Sequence, residues 1–220
     1  MSIGALGVGI AAGGAFLAFP GIDLLVSGMF YAGNGMFAGQ SLGWVATARS
    51  TFVGLLYLCI AATVTGLILT RGGARTWLRF AFPQWLFLAI CLAAGPGLVA
   101  NVLFKDHWGR ARPKQVVEFG GTKAFTPPLI PTKQCGSNCS FVSGEAASMF
   151  LPLYAASLMI PQSAALLLGA GSLFGFAAGF VRISQGAHFL SDVIFAGVFM
   201  ALTVVLVHAA MFGRASPRPA

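Results

Sequence analysis

The sequence predicts an all-α fold, a helical bundle that crosses a membrane six times. The first observation is composition: of 220 residues, 57% are hydrophobic and only 8% are charged, with a mean hydropathy of +0.85, whereas soluble domains are about a quarter charged. The second is spacing, because the uncharged residues form six stretches near the roughly 20 residues that a helix needs to cross about 30 Å of hydrocarbon. This pattern excludes an ordinary soluble enzyme and a disordered chain.

The predicted spans follow one another along a single membrane domain, residues 1–220. In chain order they are residues 3–19, 51–70, 82–104, 146–160, 163–181 and 189–213. Pro96 and Pro152 fall inside the third and fourth spans and are expected to kink them. Small residues such as Gly171 and Gly175 recur in the fifth span, which is typical of a closely packed helix.

Two segments lie outside the predicted spans. Residues 20–50 are rich in glycine and contain Asp23 and Arg49, and we expect them to lie at the membrane interface rather than to cross it. Residues 105–145 form a long polar loop between the third and fourth spans.

The basic residues predict which side of the membrane each loop occupies. Five of them lie in two segments without an acid, the loop between the second and third spans and the C-terminal tail: Arg71, Arg75, Arg79, Arg214 and Arg218. The positive-inside rule assigns both segments to the cytoplasm, so six spans leave both termini there and residues 105–145 outside. The other eight of the 13 Lys and Arg lie on the opposite side, where we expect several of them to bind an anion.

The remaining polar residues are concentrated in three clusters at span ends. These are residues 105–113 after the third span, residues 140–145 before the fourth, and residues 182–192 between the fifth and sixth. The six-span topology places all three on the same side. Charged groups gathered at a bilayer surface are costly, which indicates a functional site.

The clusters contain groups that suit a phosphate. Lys105, Arg112 and Arg182 supply one point charge and two guanidinium forks, which can clamp several phosphate oxygens. Ser143 and Gly144 precede a helix, where a hydroxyl and unpaired backbone N–H groups bind anions.

A nucleophile is predicted beside this cradle. His188 and Asp192 are four residues apart, so on a helix they share a face, and the carboxylate can hold one ring nitrogen protonated while the other attacks. An imidazole next to a cationic phosphate site predicts phosphoryl transfer. Because lysine and arginine supply the positive charge, neither a metal nor another cofactor is expected.

These residues also resemble a known family. Lys105-x6-Arg112-Pro113, then Ser143-Gly144, then Arg182-x5-His188-x3-Asp192 resemble the three-part signature of the type 2 phosphatidic acid phosphatase (PAP2) superfamily, which shares its core with vanadium haloperoxidases. The six-span layout is similar to that of bacterial membrane members. The resemblance implies a lipid phosphatase that acts through a phosphohistidine, with residues 105–145 as the active-site loop. Residues 20–24 and 139–144 further resemble a subgroup with lipid A phosphatases among its members.

One departure from the family pattern falls at a catalytic position. The second part of the signature normally reads Pro-Ser-Gly-His, and its histidine protonates the leaving alcohol, whereas this chain has Val142-Ser143-Gly144-Glu145. Glu145 could be kept protonated by desolvation and act as the acid. His107 could supply the proton instead, the leaving group could need less protonation, or the chain could be a homologue without activity.

The cysteines give a second indication of compartment. Cys59 and Cys91 lie inside spans and are expected to pack as small apolar residues. Cys135 and Cys139 lie in the long loop, where they form either a disulfide, as an oxidising periplasm would allow, or two free thiols.

The residues and the resemblance together predict a metal-independent lipid phosphatase of the bacterial inner membrane, with its active site facing the periplasm. His188 is the expected nucleophile, Asp192 orients it, and Glu145 transfers the proton. Lipid A, phosphatidylglycerophosphate and undecaprenyl diphosphate all fit as substrates, and the subgroup resemblance favours lipid A. The alternative of another class is a transporter or a lipid-binding protein without chemistry, although the sequence lacks the internal repeat of many transporters. The expected partners are a phosphorylated lipid and the bilayer, not nucleic acid, and the sequence does not indicate an oligomeric state.

Overall fold

Helices account for most of the chain, and the computed structural model describes residues 2–213. The longer helices in chain order are α1 (Ser2–Ala18), α2 (Gly21–Gly28), α3 (Gly43–Arg71), α4 (Phe82–Leu92), α6 (Gly144–Met159), α7 (Ala164–Ser184) and α8 (Leu190–Phe212). A π-helical stretch, Ala93–Phe104, and a single turn, α5 (Lys105–His107), continue α4 without a break. A two-stranded antiparallel hairpin, β1 (Tyr31–Gly33) and β2 (Met36–Phe37), lies between α2 and α3. Short 3-10 turns occur at Ala38–Gln40, Pro113–Gln115, Val117–Phe119 and Pro161–Ser163.

The helices make this a multi-pass membrane protein. Within residues 2–213, four are long and apolar enough to cross a bilayer: Gly43–Arg71, Phe82–His107, Pro161–Ser184 and Leu190–Phe212. A fifth crossing results if Ile3–Ala18 and Gly21–Gly28, which meet at 87°, count as one bent span. Six crossings therefore remain a prediction.

The predicted fourth span corresponds to α6, which is a helix but an unusual one. It has 16 residues, fewer than the roughly 20 that a crossing needs. Ten of its residues are buried, among them Phe150 and Leu151 with no exposed surface. It forms the centre of the bundle, with α4, α7 and α8 packed around it.

The predicted second span begins too late. Residues 43–50, which we expected at the interface, form the first turns of α3. The prediction stopped at Arg49 because it searched for uncharged residues. The structure shows why that charge is tolerated: Arg49 lies near the helix end and forms an ion pair with Glu145.

Small residues hold α7 close to its neighbours, as predicted. A Cβ atom at Gly175 would lie 2.3 Å from the Phe150 ring of α6, and one at Gly179 would lie 2.3 Å from Val193 of α8. The backbones can approach this closely only because these side chains are missing.

A second, smaller apolar cluster lies below the polar loop. Phe37 of the hairpin packs with Val116, Phe119 and Phe189, all of them buried. The hairpin, the polar loop and the N-terminal end of α8 therefore pack together through this one apolar cluster. Arg214 and Arg218, which contributed to the predicted orientation, lie outside the described residues.

Candidate active site

His188 lies in the tight turn between α7 and α8, where it is 2% exposed. Gly186 makes the turn possible, because it adopts a left-handed φ of +63° and a Cβ atom there would lie 2.4 Å from the Phe37 ring. The ring Nδ1 of His188 lies 2.7 Å from the backbone oxygen of Ser140. A carbonyl can only accept, so Nδ1 carries the proton and the lone pair is on Nε2. Among residues 2–213, Nε2 has no hydrogen-bond partner.

The surroundings of His188 keep its imidazole neutral. Burial lowers the pKa of His188 from 6.5 to about 4, and the positive charges of Lys105 and Arg112 act in the same direction, while Asp192 opposes them. At neutral pH the ring is therefore unprotonated at Nε2 and able to attack.

The Asp192 carboxylate is buried completely, and each of its oxygens is occupied. Oδ2 accepts hydrogen bonds from the Ser140 hydroxyl at 2.5 Å and from the Phe189 N–H at 2.8 Å. It also lies 3.6 Å from Nδ1 of His188. We expected Asp192 to hold the ring directly, but the shorter contact is made by the Ser140 carbonyl, so Ser140 links the two residues through its backbone and its side chain.

Arg110 contacts the other oxygen of that carboxylate, and the sequence-based assignment missed it. Nη1 donates to Asp192 Oδ1 at 2.5 Å, and Nη2 donates to Asp23 Oδ2 at 2.7 Å. The side chain is 0% exposed, and its guanidinium carbon lies 4.4 Å from the centre of the Phe189 ring.

The sequence does contain features that point to the residues that were missed. Arg110 and Ser140 both lie inside the polar clusters, and Asp23 is one of only five acids, in an otherwise apolar segment. A lone carboxylate in such a segment needs a buried cation, and Arg110 is that partner.

The predicted phosphate ligands lie around His188. Lys105 and Arg112 are close enough to act on its charge, and Arg182 interacts electrostatically with both of them. A Cβ atom at Gly144 would lie 3.0 Å from Lys105 Nζ, which places the ammonium at the N-terminus of α6. Positive charge and helix N–H groups thus face the same space.

Arg112 and Arg182 each donate hydrogen bonds to one neighbouring residue and keep other donors free. Arg112 donates from Nε and Nη2 to the Asn138 carbonyl at 3.1 and 2.7 Å, and burial lowers the pKa of Arg112. Arg182 donates from Nη1 to Gln185 Oε1 at 2.5 Å. Its buried Nε has no hydrogen-bond partner among residues 2–213.

Ser143 precedes α6 but does not cap it. Its N–H donates to the backbone oxygen of Asp192 at 3.2 Å, while its buried hydroxyl makes no hydrogen bond within the described part of the chain. Burying a hydroxyl without a hydrogen-bond partner costs free energy, unless a ligand forms that hydrogen bond. Ser143 is therefore positioned to bind an oxygen of a substrate.

Glu145 lies in the first turn of α6 between two guanidinium groups. Its Oε1 is 3.0 Å from both Nε and Nη2 of Arg49 and 3.5 Å from Nε of Arg182. Glu145 therefore accepts hydrogen bonds from Arg49 and forms an ion pair with Arg182. Arg49, which we had placed in an interfacial segment, is therefore part of the rim of the site.

His107, the alternative proton donor, is oriented differently. It is exposed, and its Nδ1 lies 2.9 Å from the Val102 carbonyl of its own helix. It follows Lys105 by two residues in α5, and residues two apart on a helix do not share a face.

Backbone hydrogen bonds join the end of the polar loop to the first polar cluster, residues 105–113. Cys135 and Cys139 are joined by a disulfide, and Cys59 and Cys91 are free. The N–H groups of Cys139 and Ser140 donate to the carbonyls of Lys105 and Arg110 at 2.9 and 2.8 Å. This pairing sets the position of Ser140 under the His188 ring.

A cavity of about 170 Å³ adjoins Lys105, Gly144 and Glu145. Its apolar walls include Phe52 and Leu56 of α3 and Met149 of α6, and Asn101 of the π-helical stretch also lines it. One side of the cavity is thus charged and the other apolar, which suits the junction between a phosphorylated head group and a lipid.

Comparison with known proteins gives a consistent result. A model of the PAP2 superfamily matches residues 84–216. The lipid A 4'-phosphatase of Francisella tularensis subsp. novicida is 36% identical over 213 residues, which cover 90% of this chain and 90% of that protein. The lipid A 4'-phosphatase of Rhizobium leguminosarum is 35% identical over 193 residues, 81% of this chain and 82% of that protein.

A solved structure has the same fold. The crystal structure of a PAP2 type phosphatidylglycerolphosphate phosphatase from Bacillus subtilis matches 99% of this chain and 98% of its own, with a TM-score of 0.60 at 16% identity. Since the family model covers more than half of the sequence and the relatives cover most of it, the chain belongs to the PAP2 superfamily.

Proposed function

We propose that this protein is a lipid phosphatase of the bacterial inner membrane that removes a phosphate from lipid A. The observation that carries the proposal is the buried neutral imidazole of His188, with Nε2 unbound, close to Lys105 and Arg112. The substrate class is taken from three relatives, each of which is named a lipid A 4'-phosphatase. On that basis the phosphate at the 4' position is the proposed target.

The first step transfers the phosphoryl group to the enzyme. Lys105, Arg112 and Arg182 bind the phosphate oxygens, and the Ser143 hydroxyl donates to one of them. Nε2 of His188 forms a bond to phosphorus while the bond from phosphorus to the lipid oxygen breaks. The leaving oxygen takes a proton, and the ring, which keeps its proton on Nδ1, becomes cationic.

The second step returns the enzyme to its starting state. A water oxygen bonds to phosphorus, the bond from phosphorus to Nε2 breaks, and the water gives up one proton. Inorganic phosphate leaves, and His188 is neutral again. His188 is the residue that becomes bonded to phosphorus, and the part proposed for Glu145 is limited to proton transfer.

Glu145 is the proposed carrier of the proton. Its carboxylate form, held by Arg49 and Arg182, is the form that accepts a proton from the attacking water. In the first step the bound phosphate brings one proton, and Glu145 relays it from a phosphate oxygen to the leaving oxygen, so that Glu145 begins and ends the step as a carboxylate. His107 is exposed and has no assigned part.

The proposed active site faces the periplasm, and both termini are cytoplasmic. Arg49 contacts the site, whereas Arg71 ends the same helix, about 33 Å away at a rise of 1.5 Å per residue. The basic loop that begins at Arg71 is then on the other side of the bilayer, where the positive-inside rule puts it in the cytoplasm. The disulfide between Cys135 and Cys139 suits an oxidising compartment.

A panel of lipids tests this proposal. Purified protein is given lipid A, phosphatidylglycerophosphate or undecaprenyl diphosphate, and released phosphate is measured beside His188→Ala. We expect release from lipid A and a loss of about four orders of magnitude or more in the variant. Faster release from another lipid would replace the substrate assignment, and equal turnover by His188→Ala would remove the mechanism.

A further inference from the structure

Three charged side chains lie in line beneath the proposed nucleophile. Asp23 comes from α2, Arg110 from the loop after α5, and Asp192 from α8, and each is 0% exposed. Arg110 is the middle member and bonds to a carboxylate on either side. Buried charges are costly to desolvate, and these three bring together segments far apart in the sequence.

Each remaining contact of Arg110 fixes its orientation. Nη1 also donates to Ser191 Oγ at 2.8 Å, and Nε donates to the Thr126 carbonyl at 2.9 Å. The rings of Phe189 and Phe125 flank the guanidinium. Because the fork cannot rotate, Asp192 Oδ1 is held in one place, and Oδ2 is left facing Ser140 and His188.

Asp23 is bound as a carboxylate. Its Oδ1 accepts from the Ser191 N–H at 2.9 Å, and its Oδ2 accepts from the Ser191 hydroxyl at 2.5 Å as well as from Arg110. Every partner is a donor, which matches an ionised group that can only accept. With Asp192 ionised as well, the three side chains carry one net negative charge.

That net charge has a use in the proposed reaction. When His188 is phosphorylated on Nε2 and keeps its Nδ1 proton, the ring is a buried cation. If Asp23 were absent, Arg110 would neutralise Asp192 and leave no net anion near that cation. With Asp23 present, half of the guanidinium is occupied elsewhere, and the charge of Asp192 remains available to the imidazolium.

We infer that Arg110, at an unspecified position within the first part of the family signature, and Asp23, outside the signature, are positioning residues for the nucleophile. Arg110 fixes the Asp192 carboxylate beneath His188, and Asp23 preserves the net negative charge there. The inference rests on the proposed function for its kinetic consequences, but not for its effect on the charge of the ring.

The test uses charge as the variable. Other charges near His188 are constant across the series: Lys105 from α5, Arg112 from the following loop, and Arg182 and Glu145 from α7 and α6. The net charge of the three side chains is −1 in the native protein, 0 in Asp23→Asn, −2 in Arg110→Gln and −1 in the double variant. A more negative network favours protonation of His188.

The full-length protein in lipid nanodiscs is titrated by NMR of labelled histidine. We expect the His188 transition to move to lower pH in Asp23→Asn, to higher pH in Arg110→Gln, and back toward the native position in the double variant. Ser191→Ala loosens the same network without a charge change, and Glu118→Gln makes the charge change of Asp23→Asn at an exposed position. Neither of these two controls should move the transition.

Kinetics with the lipid substrate complete the test. We expect kcat to fall about 10- to 100-fold in Asp23→Asn, the usual cost of losing a residue that orients a functional histidine, with KM unchanged. A transition that stays in place, or moves the same way in both single variants, overturns the inference. If Arg110→Gln does not fold, Asp23→Asn and Ser191→Ala still decide it. If the native protein releases no phosphate, the proposed function fails while the titration is still informative.

Discussion

At the scale of single residues, the proposed chemistry depends on keeping one imidazole neutral in a positively charged site. His188 is buried, and burial lowers its pKa to about 4, with help from Lys105 and Arg112. A lowered histidine pKa means that protonation begins only in acid. The proposed nucleophile is therefore neutral throughout the physiological range.

This predicts the acid side of the pH profile. As the pH falls through about 4, His188 takes up a proton on Nε2 and can no longer attack, so kcat/KM should fall with a limb near that value. A stopped assay of phosphate release from pH 3.5 to 8, with protein stability checked at each pH, measures the limb. A limb near the ordinary histidine value of 6.5 would show that the ring is not buried as described.

The replacement of the family histidine by Glu145 is also tested at this scale. Glu145→Ala should lower kcat by about 10²- to 10⁴-fold, the usual share of general acid–base catalysis, and should not weaken substrate binding, because the phosphate no longer competes with a carboxylate for Arg182. His107→Ala should leave both constants near native values, since His107 is exposed and bonded to its own helix. The reverse pattern would make His107 the proton carrier.

The candidate site residues were easier to select from the sequence than the residues that hold them in place. His188, Asp192 and the phosphate ligands stand out because histidine, lysine and arginine are rare here and occur at fixed spacing. Arg110, Asp23 and Ser140 were missed because their function depends on contacts between segments more than 50 residues apart, which spacing along the chain does not reveal.

At the scale of helices, close packing of α7 holds the ends that carry Arg182 and His188. Gly175 faces Phe150 without room for a methyl group, whereas Gly169, on the same helix, has no atom within 4 Å of an added Cβ. Gly175→Ala should therefore cost about 1–3 kcal/mol of stability through overpacking. Thermal unfolding in detergent measures this, with Gly169→Ala as the control, and equal melting temperatures would contradict the packing described here.

The ends of the predicted spans lie within three residues of helix ends in the structure except at α3, and α2 was not predicted as a helix. Predicted spans at 82–104 and 189–213 correspond to Phe82–His107 and Leu190–Phe212. The error at α3 arose because a charged residue, Arg49, continues the helix in an ion pair with Glu145. The number of crossings was harder to predict, because apolar composition does not distinguish α6, which is buried in protein, from a helix that faces lipid.

At the scale of the whole molecule, the account predicts which loops are accessible from outside the cell. With Cys135 and Cys139 changed to serine, a cysteine is introduced at Lys133 or at Arg75, both exposed. In cells with a permeabilised outer membrane, a thiol reagent that does not cross the inner membrane should label Lys133→Cys and not Arg75→Cys. Labelling of Arg75→Cys alone would invert the proposed orientation.

The most direct test of the central claim is to trap the phosphorylated enzyme. Protein is mixed with lipid A that carries a radioactive phosphate, quenched in base within milliseconds, and analysed for label. We predict label that survives base and is lost in acid, as expected for a phosphohistidine, and that is absent from His188→Ala. Label that survives acid, or label that persists in His188→Ala, would contradict a reaction through His188.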